Sequence, residues 1–313
     1  ELTQMLGGQQ TLTGPVVAVP YRTYEKTEDG PQTLWHHAYF LPDELNISGK
    51  LEHAIRYRSI YKMISYNTQL DVAGRFSPLR FPDKNVSPDD ILWEQAELAI
   101  GVSDMQGIQD NIIIKWNDTT HKCGSGIPGQ DLFYTGVKAP VDVRQGQGYA
   151  FSFRLDLSGT ERLHFVPVGA TTEVKLQSDW NTPSFSGDFA PDMRNITADG
   201  FESEWKVLQL NRSYPQQWTN TQYSVQNSAF GVDLIFPVDI YQKNMRSVKY
   251  AILFIGLTFI TFFFAEQIHG QRIHPINYLL VGFALVIFYS LLFSISEHIS
   301  FGQAYLISGV SIV

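Results

Sequence analysis

Ionisable and amide side chains flank two long apolar runs near the end of the chain. The runs Tyr250–Ala265 and Tyr278–Ile295 contain no acidic or basic residue. The candidate functional residues at their ends are Glu266, Gln271, Arg272, His274, Glu297 and His298. Ionisable groups at membrane boundaries can relay protons or ions. They can also mark the membrane interface, with Glu266 pairing with Arg272 and tightening a hairpin, and we favour this second interpretation.

One acidic stretch resembles a catalytic loop only superficially. Asp156-Leu157-Ser158-Gly159-Thr160 resembles the Asp-Thr/Ser-Gly-Thr loop of aspartic proteases. That chemistry needs two carboxylates that share a proton. The sequence has no second loop of this kind, and Leu157 separates the aspartate from the Ser-Gly pair. We predict a turn that closes a strand at Ser158-Gly159.

Other side chains could bind metal, but their spacing does not favour it. The candidates are His36, His37, His53, His121, Cys123, Asp179, Asp188 and Asp192. The histidines lack the helical i, i+4 spacing of zinc ligands, and the aspartates lack the alternate spacing of a calcium loop. We therefore expect no metal site, no cofactor, and an ordered loop over Asn181–Pro191. A hydrolase that uses the three aspartates requires them to converge in a cleft.

The two apolar runs are long enough to span a membrane as helices. As helices, runs of 16 and 18 residues measure about 24 and 27 Å, close to the bilayer core of about 30 Å. They predict a helical hairpin with helices at about 248–266 and 275–297, and the apolar stretch Ala304–Val313 predicts a third helix that starts within 303–313. Gly282, Ser290 and Ser294 form a small-residue stripe that favours close helix packing.

Charge separates this part from the rest of the chain. Residues 241–313 hold four basic and two acidic residues, whereas residues 1–240 hold 19 basic and 29 acidic ones. An acidic domain of this kind does not suit nucleic acid, whose phosphates attract basic patches. Lys243, Arg246 and Lys249 precede the first helix, and the positive-inside rule would place them in the cytoplasm. A single cysteine excludes an internal disulfide.

Residues 1–240 show the alternation of β-strands. Phe151, Phe153 and Leu155 alternate with smaller or polar residues, and many such runs end at Gly, Pro, Asn or Asp. Helical periodicity is limited to Leu92–Ile100. We predict a mainly β fold, with a large antiparallel β-sandwich, or two sheets long enough to form two lobes, followed by transmembrane α-helices. Residues 1–240 would be the β domain, with the tryptophans in its core, and residues 241–313 the membrane domain.

Several segments of the chain resemble one protein family. Three segments are similar to the CreD family of bacterial inner membrane proteins. They are the hairpin run from Arg272-Ile273-His274-Pro275 through Gly282 to Ser296-Glu297-His298, the segment Leu12-Thr13-Gly14-Pro15 and the segment Pro183-Ser184-Phe185. The resemblance covers most of the chain.

The resemblance implies an N-terminal membrane anchor, a large periplasmic β domain and several C-terminal membrane helices. This chain would then lack the anchor and the last helices. Arg272 and His274 would face the cytoplasm, and Glu297 and His298 would lie near the periplasmic side, in conflict with the charge count. The family is associated with cell envelope integrity under two-component control, and no catalytic residues are established for it.

These observations favour a non-enzymatic inner membrane protein that supports envelope integrity. Its β domain would bind an envelope component or a periplasmic or inner-membrane protein partner, and a second copy of the chain is also a candidate partner. The alternative is a transporter, or a lipid- or proton-coupled device, that uses the ionisable residues of the hairpin.

Overall fold

The chain consists of two units, which we describe separately. The structure, a computed structural model, describes residues 7–27, 30–58, 61–83, 85–129, 132–219, 223–236, 240–270, 274–296 and 299–311. Its internal contacts group Glu1–Ile235 into one unit and Phe236–Val313 into another. The first unit is built from β-strands and the second from helices.

The first sheet of the β unit has nine strands in the described part of the chain. They are β1 (Gln10–Thr27), β2 (Gly30–Phe40), β5 (Glu97–Val102), β8 (Gly124–Ser125), β9 (Gly136–Pro140), β11 (Arg162–Val166), β13 (Pro183–Gly187), β16 (Gln217–Thr219) and β17 (Phe230–Leu234). The order across the sheet is β13-β17-β11-β1-β5-β9-β8, and β2 pairs with β1 and β16 beside this path.

The second sheet has eight strands among the described residues. They are β3 (Glu44–Arg58), β4 (Tyr61–Phe76), β6 (Ile113–Trp116), β7 (Thr119–Lys122), β10 (Tyr149–Thr160), β12 (Thr171–Ser178), β14 (Met193–Thr197) and β15 (Gly200–Leu208). Their order is β14-β15-β12-β3-β4-β10-β6-β7. The prediction of a mainly β fold followed by apolar helices is confirmed. Both sheets are mixed, because β1 runs parallel to β11 and β3 runs parallel to β12.

The inner faces of the two sheets meet in an aromatic core. Trp205 in the eight-stranded sheet packs against Phe230 and Phe185 in the nine-stranded sheet, with ring centroids 5.8 and 5.7 Å apart. Trp116, Trp180, Trp205 and Trp218 are buried, whereas Trp35 is 60% exposed. The expectation that tryptophans build the core therefore holds for most of them and is wrong for Trp35.

Three local expectations differ from the structure. Leu92–Ile100 forms a 3-10 turn and the start of β5, because Leu98 and Ile100 are buried in a strand between β1 and β9. Strand β10 does not turn at Ser158-Gly159, since these residues continue the ladder with β4; the chain turns at Glu161, which has a φ of 62°. The loop expected over Asn181–Pro191 contains the edge strand β13.

The second unit contains three helices among the described residues: α1 (Ile240–His269), α2 (Pro275–Ile295) and α3 (Phe301–Val310). Two segments, Lys249–Ile268 and Pro275–Ile295, are long and apolar enough to cross a membrane. Most of their side chains are exposed within the chain. Exposed apolar surface of this extent is stable in lipid and costly in water.

Removal of Phe230 tests the contact between the sheets. Phe230 is fully buried, so Phe230→Ala leaves a cavity and should lower the free energy of unfolding of the β unit by about 3–5 kcal/mol. All six tryptophans precede residue 241, so tryptophan fluorescence of the full chain in detergent follows the β unit during urea unfolding. The control Tyr134→Ala, at a 90% exposed side chain, should change stability by no more than about 0.5 kcal/mol. A similar small change for Phe230→Ala would contradict this packing.

Candidate functional site

A carboxylate and a phenol form the polar contact of the helical hairpin. Tyr278 Oη of α2 donates a hydrogen bond of 3.0 Å to Glu266 Oε2 of α1. The Tyr278 ring also packs against Phe259 and Phe262 of α1, with centroids 6.1 and 5.9 Å apart. The rings bring the helices together, and the hydroxyl satisfies one oxygen of Glu266.

The other polar residues of the hairpin are only partly described. His274 is the N-cap of α2, where its Nδ1 accepts a hydrogen bond of 3.3 Å from the Ile276 backbone N–H, and Pro275 follows in the first turn. This N-cap role satisfies a free N–H at the helix start. Gln271, Arg272, Glu297 and His298 lie outside the described residues. The pairing of Glu266 with Arg272 therefore stays a prediction.

The small residues of α2 do not share one contact. Gly282 lies under the Phe259 ring, and a Cβ at this position would be 3.1 Å from Phe259 Cζ. Ser290 and Ser294 are exposed. At about 100° per residue, positions 8 and 12 residues after Gly282 are rotated by about 80° and 120°. The stripe therefore turns away from α1, which is why the two serines do not share the contact of Gly282.

A polar trough crosses the outer face of the eight-stranded sheet. Its floor consists of short side chains on three adjacent strands: Asn46, Ser48, Ala73 and Ser152. Register sets them in two rows, because Asn46 pairs with Ala73 and Ala73 with Ser152, whereas Ser48 pairs with Asp71. The trough has a volume of about 500 Å³. Short side chains between longer ones leave this space open.

Ion pairs border the trough on both sides. Arg154 Nε binds Asp71 Oδ1 at 2.9 Å on one side. On the other side β12 places Glu173 beside Asn46 and Lys175 beside Ser48 in the register. Lys175 Nζ binds Glu204 and Lys206 Nζ binds Glu173, both at 3.0 Å, and these four residues line a separate cavity. Surface pairs of this kind stabilise a fold little, but here each cation and its partner carboxylate neutralise each other beside the floor. Lys115 also lines the trough, and it has no ion-pair partner among the described residues. The surface therefore offers hydroxyl and amide groups and the ammonium group of Lys115 to a polar ligand.

No sequence pattern identifies the trough. The alternation around Leu70, Val72 and Phe153 predicts which residues point outward from each strand. It does not predict that β3, β4 and β10 are neighbours, nor their register, because that pairing depends on contacts distant in sequence.

A serine, a histidine and an aspartate also meet in the nine-stranded sheet. Ser186 Oγ donates a hydrogen bond of 2.6 Å to Asp233 Oδ2 and lies 2.9 Å from His164 Nε2. Arg162 Nε donates to Asp233 Oδ1 at 2.7 Å. Gly231 lies between His164 and Ser186 in the register, and a side chain there would collide with the imidazole.

This cluster lacks the arrangement of a nucleophilic serine. In such a triad the histidine accepts the serine proton and the carboxylate binds the other ring nitrogen. Here Asp233 accepts the hydrogen bond from Ser186 itself, and Asp233 Oδ1 lies 3.4 Å from the same histidine nitrogen, Nε2. The cluster connects β11, β13 and β17 and does not activate Ser186.

The environment changes the pKa of two groups in the cluster. Burial lowers the pKa of His164 below its ordinary value of 6.5, although Asp233 opposes the change. Burial raises the pKa of Asp233, but hydrogen bonds from Arg162 and Ser186 outweigh it, and the net pKa is lowered. His164 is therefore neutral and Asp233 ionised near neutral pH.

Two of the three loop aspartates, Asp179 and Asp192, bond through their side chains to different partners. Asp179 Oδ1 lies 2.7 Å from His53 Nδ1, whereas Asp192 Oδ2 accepts a hydrogen bond of 2.7 Å from the Lys206 backbone N–H. No group of three or more metal-binding side chains occurs among the described residues. Cys123 is half-buried, and burial raises the pKa of its thiol to about 11. These residues do not form a paired-carboxylate or thiolate site.

Acidification should destabilise the β unit through His164. The unfolded histidine binds its proton near pH 6.5, whereas the folded one binds it only at lower pH, so stability falls as pH falls through this interval. His164→Gln should remove this part of the fall. Urea midpoints from tryptophan fluorescence at about pH 7.5 and 5 measure it. The control His121→Gln, on strand β7, should keep the wild-type dependence, and an unchanged dependence in His164→Gln would contradict the assignment.

One protein family matches the whole chain. The family model described as inner membrane protein CreD matches residues 1–313. The inner membrane protein CreD of Escherichia coli K12 is 32% identical over 321 residues, which cover 99% of this chain and 70% of that protein.

Similarity to solved structures is much weaker. An M1 zinc metallopeptidase from Deinococcus radiodurans is 10% identical, with a TM-score of 0.24 over 53% of this chain and 38% of that one. A two-domain M1 zinc metallopeptidase gives 11% identity and the same TM-score, over 53% of this chain and 39% of that one. So low a TM-score carries no argument about fold or function. The family match over the whole chain, the identity to its relative and the two apolar helices lead to one conclusion: the chain belongs to the CreD family of inner membrane proteins.

Proposed function

We propose that the protein is a non-enzymatic inner membrane protein that supports cell envelope integrity, and that its β domain binds an envelope component or a periplasmic partner. In this proposal residues 1–240 form the periplasmic domain and residues 241–313 form the membrane domain. The observation that carries the proposal is the trough of Asn46, Ser48, Ala73 and Ser152, with ion pairs and Lys115 beside it.

The chemistry of the trough favours a polar ligand with little net charge, or a polar segment of a partner. Asn46 and Ser48 are exposed, and Ser152 is half-buried, so their amide and hydroxyl groups can donate and accept hydrogen bonds. Arg154, Lys175 and Lys206 already have carboxylate partners, whereas Lys115, which also lines the trough, has no ion-pair partner among the described residues. A strongly charged ligand would have to compete with these pairs, whereas a neutral polar ligand, or one with a single negative charge near Lys115, would not.

The periplasmic location is supported by the family resemblance and not by charge. Lys243, Arg246 and Lys249 precede the first candidate span, and the positive-inside rule favours the cytoplasm for such residues. Long domains cross the membrane largely regardless of charge, which weakens the rule for a helix preceded by about 240 residues.

Filling the trough should abolish binding. Ala73 is exposed at the floor, so Ala73→Trp should occupy the space while the strand remains intact. Full-length protein in native lipid particles is incubated with envelope extract, and retained proteins and glycans are identified by mass spectrometry. We expect a component that wild type retains to be reduced at least tenfold with Ala73→Trp.

The control for this experiment is Asn67→Trp. Asn67 is exposed on the same face of the same strand, six residues or about 20 Å from Ala73. It should retain the component, and circular dichroism should show that both variants are folded. Equal retention by both variants would contradict binding in the trough.

The contact between Glu266 and Tyr278 supports a second candidate function, a transporter or a lipid- or proton-coupled device. An ionisable residue in a membrane helix is a candidate relay group. Here it has a hydroxyl partner at 3.0 Å, on the contact between two candidate spans.

Glu266→Gln separates the two functions. The glutamine oxygen still accepts the hydrogen bond from Tyr278 but cannot release a proton, so a purely structural role predicts normal envelope function. The measurement is detergent and dye permeability of cells that express the variant in place of wild type. We expect wild-type permeability at equal protein levels. Loss of function with Glu266→Gln, but not with Tyr278→Phe, would support the relay instead.

A further inference from the structure

The β3–β4 hairpin extends beyond the rest of its sheet. We define the ribbon as residues 53–58 of β3 and 61–66 of β4. Its outer part is the half farther from the sheet, and among the described residues no other strand pairs with it. Strand β12 pairs with β3 only as far as Leu51, and β10 pairs with β4 only from Ser65. From Ile55 outward, the two strands pair only with each other.

The base of the ribbon is fixed to the β unit. Tyr66 Oη donates a hydrogen bond of 2.6 Å to the Arg162 carbonyl, and the Glu161 backbone N–H donates to the Ile64 carbonyl at 3.0 Å. Ile64 and Tyr66 are buried. The outer part therefore projects from a rigid base.

The ribbon differs in charge from the domain that carries it. Arg56, Arg58 and Lys62 are basic, and no acidic residue occurs between positions 53 and 66. The remaining residues up to position 240 include 16 basic and 29 acidic ones. The ribbon is thus a positive projection from a strongly negative domain.

Its exposed side chains suit a lipid headgroup layer. Tyr57 is 64% exposed and Ile55 is 41% exposed, on the same face of β3. Lys62 lies over the Tyr57 ring, 5.8 Å from its centroid. Tyrosine favours the membrane interface, and long basic side chains can place their charge among anionic headgroups while their stems contact apolar chains.

We propose that the ribbon binds the anionic surface of the membrane in which the helices of this chain lie. Lysine and arginine near such a surface are attracted by its negative potential. The rest of the domain is repelled by the same potential, so the ribbon would also orient it. Because the ribbon and the candidate spans belong to one chain, the bilayer is present at high effective concentration. This proposal is independent of the trough.

The test measures the depth of a label on the ribbon. Full-length protein with Cys123→Ser and Tyr57→Cys carries a nitroxide at position 57, in nanodiscs of phosphatidylcholine with or without phosphatidylglycerol. Relative accessibility to oxygen and to a water-soluble nickel reagent reports depth. We expect the label to lie in the headgroup region in anionic discs and to return to water in neutral discs or with Arg56→Glu and Lys62→Glu. The control Tyr134→Cys should stay in water in both.

Two results would overturn the proposal. A label that is equally accessible to the nickel reagent in both lipids would mean that the charges only protect an exposed strand edge from aggregation. A label that is shielded equally in anionic discs, neutral discs and detergent would mean that protein, such as a second copy, covers the ribbon. Circular dichroism of the charge-reversal variant excludes unfolding as the cause of lost contact.

Discussion

The alternation of side chains across the eight-stranded sheet is the constraint on which the rest of the β unit depends. Alternate residues of β3, β4 and β10, such as Ile47, Val72 and Phe153, must be buried against the other sheet. The residues between them must then face outward, because successive side chains of a strand point to opposite faces. Core packing thus places the short polar residues of the trough side by side. A slip of one residue in register would exchange the two faces.

The helical unit follows a different constraint. Its apolar side chains have few partners within the chain, so lipid or other protein must cover them. The hydrogen bond between Glu266 and Tyr278 is a polar contact within this apolar unit, and aromatic rings pack around it. The β unit and the helices thus offer two separate surfaces, one polar and one apolar, and the proposed function assigns binding to the first and anchoring to the second.

Local patterns predicted much of the fold, and long-range pairing accounts for the rest. The strand class, the two apolar helices and the turn position of Pro275 follow from periodicity and residue type. The strand at Leu98 and Ile100 was missed because burial between two neighbours overrides local helical spacing. The trough and the cluster around Asp233 were also missed, since each joins residues from three strands whose order the sequence does not reveal. Ser290 and Ser294 are exposed because the helix turns them away from the face on which Gly282 contacts α1.

The proposed function depends on contact between the trough and an envelope component in the cell. The most direct measurement places a photo-activated cross-linking residue at Ser48 or Ser152, and at Asn67 as the reference, in full-length protein in living cells. If the trough binds an envelope component, both trough positions should give one dominant adduct and Asn67 should give none, as identified by mass spectrometry. The absence of an adduct at the trough, or the same adduct from Asn67, would contradict the proposed function.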